Sequence, residues 1–253
     1  MSDWKAKRFW TETSVVEGDT GFELRLDGRP VRTPLKTLLV MPTRSMAEAA
    51  AAEWDAQEGV IDPMTMPVTR SANSALDQLM PQQEAVAAML AGYAETDLLC
   101  YRAPQPQGLI DQQNKGWTPI LTWAADRYGA PLITVTGVLP AEQPASSLSV
   151  YHRAVAAFRP FSMTALHDLV TLSGSLILAL WVADGAGEAE AAWALSRIDE
   201  DWQVAQWGED RQAAEEAALK RAAFLHAARF LDLSGQICPI KTRWGRLLAP
   251  LTL

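Results

Sequence analysis

Residues 94–103 divide the chain into two kinds of pattern. Ahead of them apolar and polar residues alternate and turn dipeptides recur; behind them apolar residues return every three or four positions. A period of two marks a half-buried strand and a period near 3.6 marks a helix face, so one chain has to build both. Val86, Met89, Leu90 and Tyr93 carry a helix into the stretch, and Pro104 and Pro106 end regular structure after it. Inside it Leu98, Leu99, Cys100 and Tyr101 pack inward, which obliges Asp97 and Arg102 to be solvated or paired. Two readings are open: a seam between two domains, 1–103 and 104–253, or an ordinary helix end.

The fold class that follows is α+β, a small N-terminal antiparallel β-sheet with covering helices and then a mostly α-helical C-terminal domain. Residues 13–16 and 22–26 alternate, Asp27-Gly28 is a hairpin dipeptide, and 38–41 is a further short strand. Pro30 and Pro34 put the segment between them at a sheet edge or in a loop. Such a sheet buries little alone, so the helix that Thr43 caps and Gly59 ends is expected to cover it. A second helix from Val68 is expected to stop at Pro81, and a third runs from Gln82 into residues 94–103. A helix over 109–128 is expected to break near Gly116 because of Pro119, and 132–136 reads as a strand. Leu148, Tyr151, Val155 and Phe158 form the next stripe. Residues 164–183, apolar most of the way round, read as one central helix, followed by helices over 188–207 and 209–233, with Leu219, Phe224, Leu225 and Phe230 inward on the last. The tail, 234–253, has no period.

Charge and cysteine usage narrow the function. A net charge of −8 disfavours nucleic acid and anionic membrane as partners, which need concentrated positive charge. Cys100 and Cys238 are too few for a disulfide framework or a thiolate metal site and fit a reducing compartment. No apolar stretch follows the basic N-terminus, and the most apolar run, 176–183, falls far short of the roughly 20 residues a membrane span needs. The expected location is cytoplasmic. Ten tryptophans read mainly as core, with a minority as exposed anchors. Residues 184–216 hold ten acidic residues against Arg197 and Arg211, either a solvated face or a docking surface for a basic partner.

Chemistry-bearing motifs are scarce. His167-Asp168 could be a base with its orienting acid, but His152 and His226 stand at no ligand spacing to it. Ser173-Gly174-Ser175 is no nucleophile elbow and reads as small residues that let helices approach. No glycine-rich phosphate loop is present, and Cys100 has no adjacent base. No metal or cofactor is expected.

Several stretches together resemble one family: Gly21-Phe22 on to Leu26-Asp27-Gly28-Arg29-Pro30-Val31-Arg32-Thr33-Pro34, Ala52-Glu53-Trp54-Asp55-Ala56-Gln57, Met66-Pro67-Val68-Thr69-Arg70-Ser71-Ala72-Asn73, Thr96-Asp97-Leu98-Leu99-Cys100-Tyr101-Arg102, Gly174-Ser175-Leu176, and Asp199-Glu200-Asp201-Trp202-Gln203 with Trp207-Gly208. Their order and spacing resemble the chaperones that assemble the F1 sector of ATP synthase by handling its α subunit, found in mitochondria and alphaproteobacteria. The short N-terminus suggests a bacterial member. The resemblance implies a non-enzymatic protein that holds the free α subunit soluble until the β subunit takes over the same surface. The candidate contacts are Glu200, Trp202, Trp207, Glu209 and Asp210, with Arg32, Lys36, Arg70 and Tyr101 second. The alternatives are a hydrolase-like enzyme using His167 and Asp168 with a serine, and an adaptor with another client.

Overall fold

In a computed structural model that describes residues 7–235, the N-terminal alternation folds as read. Strands β1 (Thr13–Gly18) and β2 (Gly21–Leu26) pair antiparallel from Thr13 opposite Leu26 to Gly18 opposite Gly21. Asp27 and Gly28 both take positive φ, 46° and 74°, the turn that matches strand twist and brings β3 (Arg29–Pro30) back onto β2. β4 (Val40–Met41) joins the other end of β2, which completes a four-stranded sheet. Leu24 and Leu26 point to one face, and helix α1 (Arg44–Asp55) lays Met46, Ala47 and Ala50 over it. Thr43 caps α1 by accepting from the Met46 amide. The helix ends at Asp55, ahead of Gly59, because the Gln57 side chain takes the Glu53 carbonyl and the Asp62 amide and turns the chain there.

Pro81 does not stop the second helix. α2 (Pro67–Ser74) widens into a π turn over Ala75–Leu79, tightens into a 3-10 turn over Met80–Gln82 and runs on as α3 (Gln83–Gly92). Proline lacks the N–H that a regular helix would use at that point; the Met80 amide reaches back five residues to Ala75, and the run absorbs the proline. Pro119 likewise sits inside an unbroken α4 (Gln107–Tyr128). It lies on the exposed face, where the carbonyl it leaves unbonded is open to water. The strand expected over 132–136 shrinks to β6 (Val135–Thr136), parallel to β5 (Tyr101–Arg102).

Two helices expected to be continuous are broken. The apolar run divides into α6 (Pro160–Ser173) and α7 (Leu176–Ala183), with Gly174 left-handed at φ 70° and the Ser175 hydroxyl accepting from the Leu178 amide. Ser173-Gly174-Ser175 is thus a C-cap joined to an N-cap. Farther on, Arg197 separates α8 (Ala189–Ser196) from α9 (Ile198–Trp207), and α10 (Arg211–Leu233) follows. Of the residues expected inward on α10, Phe224 and Phe230 are buried, while Leu219 is 72% exposed. α6 and α7 are central, with Met163, Leu166, Leu169, Ile177 and Leu178 fully buried, and α5 (Ala145–Ala156) brings Tyr151 and Val155 against them. The buried apolar residues connect from Leu24 in the sheet through Leu90 to Phe224. The expectations on Cys238 and on 236–253 lie outside the described residues.

Candidate functional site

Asp97 ties the sheet-bearing segment to the helical one. Its carboxylate is completely buried at the start of α7 and accepts from the Leu99 amide (3.0 Å), the Ser175 hydroxyl (2.8 Å) and the Ile177 amide (3.0 Å). Burial pushes its pKa up to about 6, against the pull of those hydrogen bonds toward the ionised form. Arg102 lies 5.2 Å over the Trp117 ring and donates to the Gln113 carbonyl at 2.7 Å. The Gln113 side chain in turn accepts from the Ala103 amide and donates to Asp199 at 2.6 Å. Asp97 and Arg102 are therefore both partnered, and the second chain of contacts ends at the first turn of α9.

That turn carries Asp199, Glu200 and Asp201, three carboxylates at the positive end of the helix dipole. α9 is seated through glycine. A methyl group on Gly108 of α4 would stand 2.6 Å from the Trp202 ring, and one on Gly116 2.9 Å from Ile198. No residue of α9 is fully buried; Ile198 and Trp202 are half-buried against the body. Glu200, Val204 and Trp207 follow at four and three positions along its outer side, Val204 41% and Trp207 80% exposed. Glu200 pairs with Arg197 at 3.0 Å. Gly208, at φ 89°, turns the chain, Glu209 is exposed, and Asp210 caps α10 by accepting from the Ala213 amide at 2.8 Å. The five leading candidates thus lie on one helix and the turn that follows it, with Trp202 partly spent on seating that helix.

The second group is dispersed. Arg32 donates to the Lys36 carbonyl across one exposed loop, which Asp77 holds by accepting from Thr33 (2.7 Å) and the Leu35 amide (3.0 Å). Tyr101 is half-buried in β5. Arg70 is exposed on α2, whose first amides, Val68 and Thr69, are capped by the Glu53 carboxylate at 2.7 and 2.8 Å. Arg70 lines a cavity of about 580 Å³ bounded by α2, its π turn, α6 and α10.

His167 and Asp168 line the same cavity, paired to each other at 2.9 Å and each about two-fifths exposed. The serine that meets a histidine there is Ser71, 3.0 Å from His226 Nε2. Burial lowers the pKa of His226 and so favours its neutral form. Nothing in the sequence signals this pair, because its members are 155 residues apart and neither sits in a motif. Burial also raises the Cys100 thiol to about 12, a packed and unreactive side chain. Among the described residues no cluster of three metal-ligating side chains occurs, and no helix is long and apolar enough to cross a membrane.

Sheet, helical core and an outlying acidic, aromatic helix define a protein equipped for contact with another macromolecule. The comparisons give that class its family. The profile described as ATP12 chaperone protein matches residues 7–125. The chain is similar to the crystal structure of Atp12 from Paracoccus denitrificans, 48% identical with a TM-score of 0.90, covering 92% of this chain and 100% of that one. A structure from Agrobacterium tumefaciens is 40% identical with a TM-score of 0.84, covering 90% of this chain and 85% of the other. Protein atp12, mitochondrial, of Schizosaccharomyces pombe is 21% identical over 221 residues, 83% of this chain and 76% of that protein. The chain belongs to the ATP12 chaperone family, and the coarse function goes with it: a chaperone of ATP synthase assembly.

Proposed function

We propose that the protein binds the free α subunit of F1 and covers its assembly surface until the β subunit replaces it. The observation that carries the reading is α9, a helix with no buried residue that presents Val204 and Trp207 beside Glu200 and Glu209. An exposed aromatic framed by charge is the composition of a binding centre. An orphan ring subunit exposes apolar interface that aggregates, and a temporary cover of about 800 Å² per partner prevents this while remaining displaceable. In this reading Trp207 is the anchor, Glu200, Glu209 and Asp210 match basic groups on the client, and Trp202 holds α9 in place. Arg32, Lys36, Arg70 and Tyr101 are proposed as secondary contacts. The protein works in the cytoplasm and makes or breaks no bond.

The test is co-purification of F1 α with charge-reversed variants. Glu200→Lys with Glu209→Lys should cut recovered α at least tenfold while circular dichroism shows the fold retained. Asp210 also caps α10, so its charge is removed by Asp210→Asn, which keeps a capping oxygen. Undiminished recovery in all three changes removes these acids from the contact.

A further inference from the structure

The 580 Å³ cavity contains a row of side chains that the fold does not use. Arg70, Ser74, Gln78 and Gln82 all line it, four positions apart along the run from α2 to the 3-10 turn. Four residues overshoot an α-helical turn of about 3.6 and undershoot a π turn. The π turn Ala75–Leu79 therefore pulls the row back into line and keeps all four side chains on one groove. Among the described residues Ser74, Gln78 and Gln82 have no side-chain hydrogen-bond partner, and Arg70 reaches only the Met64 sulfur, at 3.6 Å. Leu79, Val86, Ala222 and Ala223 add apolar lining, interrupted by Thr164 and by the Ser71–His226 pair that joins α2 to α10. Met64 and Leu219, each 72% exposed, line the cavity too.

Each feature has a counterpart in a polypeptide. A glutamine amide offers one donor side and one acceptor, as a peptide bond does, and a serine hydroxyl does both. Twelve residues of helix span about 18 Å, the length of roughly five or six extended residues. The small side chains Ala222 and Ala223 leave room for a backbone. Arg70 supplies a forked cation at one end, and Asp168, hydrogen-bonded to His167 at 2.9 Å, keeps its own carboxylate on the α6 wall.

We infer that this groove takes a single extended segment of the client, its backbone bonded along Ser74, Gln78 and Gln82, its apolar side chains on the apolar lining and an acidic residue on Arg70. The inference rests on the chaperone reading above and adds a second contact, of opposite charge sense to α9. Such a site would hold the client by its backbone, which tolerates many sequences, and set register by one charge.

The test uses the full chain, fluorescently labelled, on a peptide array that tiles the F1 α subunit of the same organism. Wild-type protein should bind stretches where an acidic residue neighbours apolar ones. The strongest peptide, made in solution, should lose at least tenfold in affinity against Ala223→Trp, which fills the groove, and against Gln78→Ala with Gln82→Ala, both exposed positions that the fold tolerates. Converting the peptide's acid to its amide should weaken wild-type binding and leave Arg70→Glu indifferent to the change. Equal affinity for the groove variants, or no effect of the amide, overturns the inference. Recovery of intact α from cells separates the two readings. Peptide binding that does not depend on the groove, with α retained by the wild type and the groove variants alike, sinks the groove alone. Failure of the wild type to retain α sinks the reading beneath it.

Discussion

Asp97 offers the sharpest physical test, because its carboxylate is completely buried and yet bonded to three donors. Its pKa of about 6 lies above the usual 3.8. Between those values the folded state binds a proton that the unfolded chain does not, so the site contributes most stability below pH 3.8 and loses it as pH rises through 6. Asp97→Asn removes the titration. The amide oxygen keeps the Leu99 and Ser175 donors, but its NH2 turns toward the Ile177 amide and leaves that buried N–H unpaired, at about 1–3 kcal/mol. Over that constant gap lies a varying one. From pH 4.5 to 6 the wild type should forfeit about 1.5 kcal/mol that the variant never had, the slope falling below about 1.4 kcal/mol per pH unit as the group ionises. Urea denaturation of both proteins at pH 4.5, 5.5, 6.5 and 7.5 reads the difference directly, since the other titrating groups are common to both. The gap should be widest in acid and level off above pH 6.5. A constant gap, or one that grows with pH, would mean that the carboxylate is not desolvated as its burial requires.

Two further expectations follow from close contacts. Gly108→Ala puts a methyl group 2.6 Å from the Trp202 ring, so α9 has to lift; stability should fall by about 1–3 kcal/mol, partly offset by better helix propensity, with a shift in tryptophan emission. Arg127 and Asp184 join α4 to the end of α7 through bonds of 2.5 and 2.8 Å, both side chains at most 15% exposed. Asp184→Asn should cost about 1–3 kcal/mol by calorimetry, because a largely buried charge-assisted pair loses its charge. A change under about 1 kcal/mol would place that pair with ordinary surface bridges.

What could be read in advance follows how locally each feature is determined. Asp27-Gly28 and Thr43 act within three residues of themselves, and turn and cap are where the sequence placed them. Two departures have different causes. Pro81 looks like a stop because a proline is read against a regular helix, and the local π turn, with the Met80 amide on Ala75, absorbs it; 164–183 looks like one helix until the distant Asp97 supplies acceptors for the Ser175 hydroxyl and the Ile177 amide. The same logic governs the candidate surfaces. The helix expected over 188–207 breaks at Arg197, and α9 rests on the body through Ile198 and Trp202, half-buried beside Gly116 and Gly108. Arg70 was legible only as a charge, and Ser74, Gln78 and Gln82 not at all, because polar residues on a helix ordinarily face water. In the proposed reading such groups are left for the client to satisfy. Trp207 and Leu219 are apolar side chains that the chain's own packing leaves uncovered, as are Val138 and Leu139 in the loop ahead of α5.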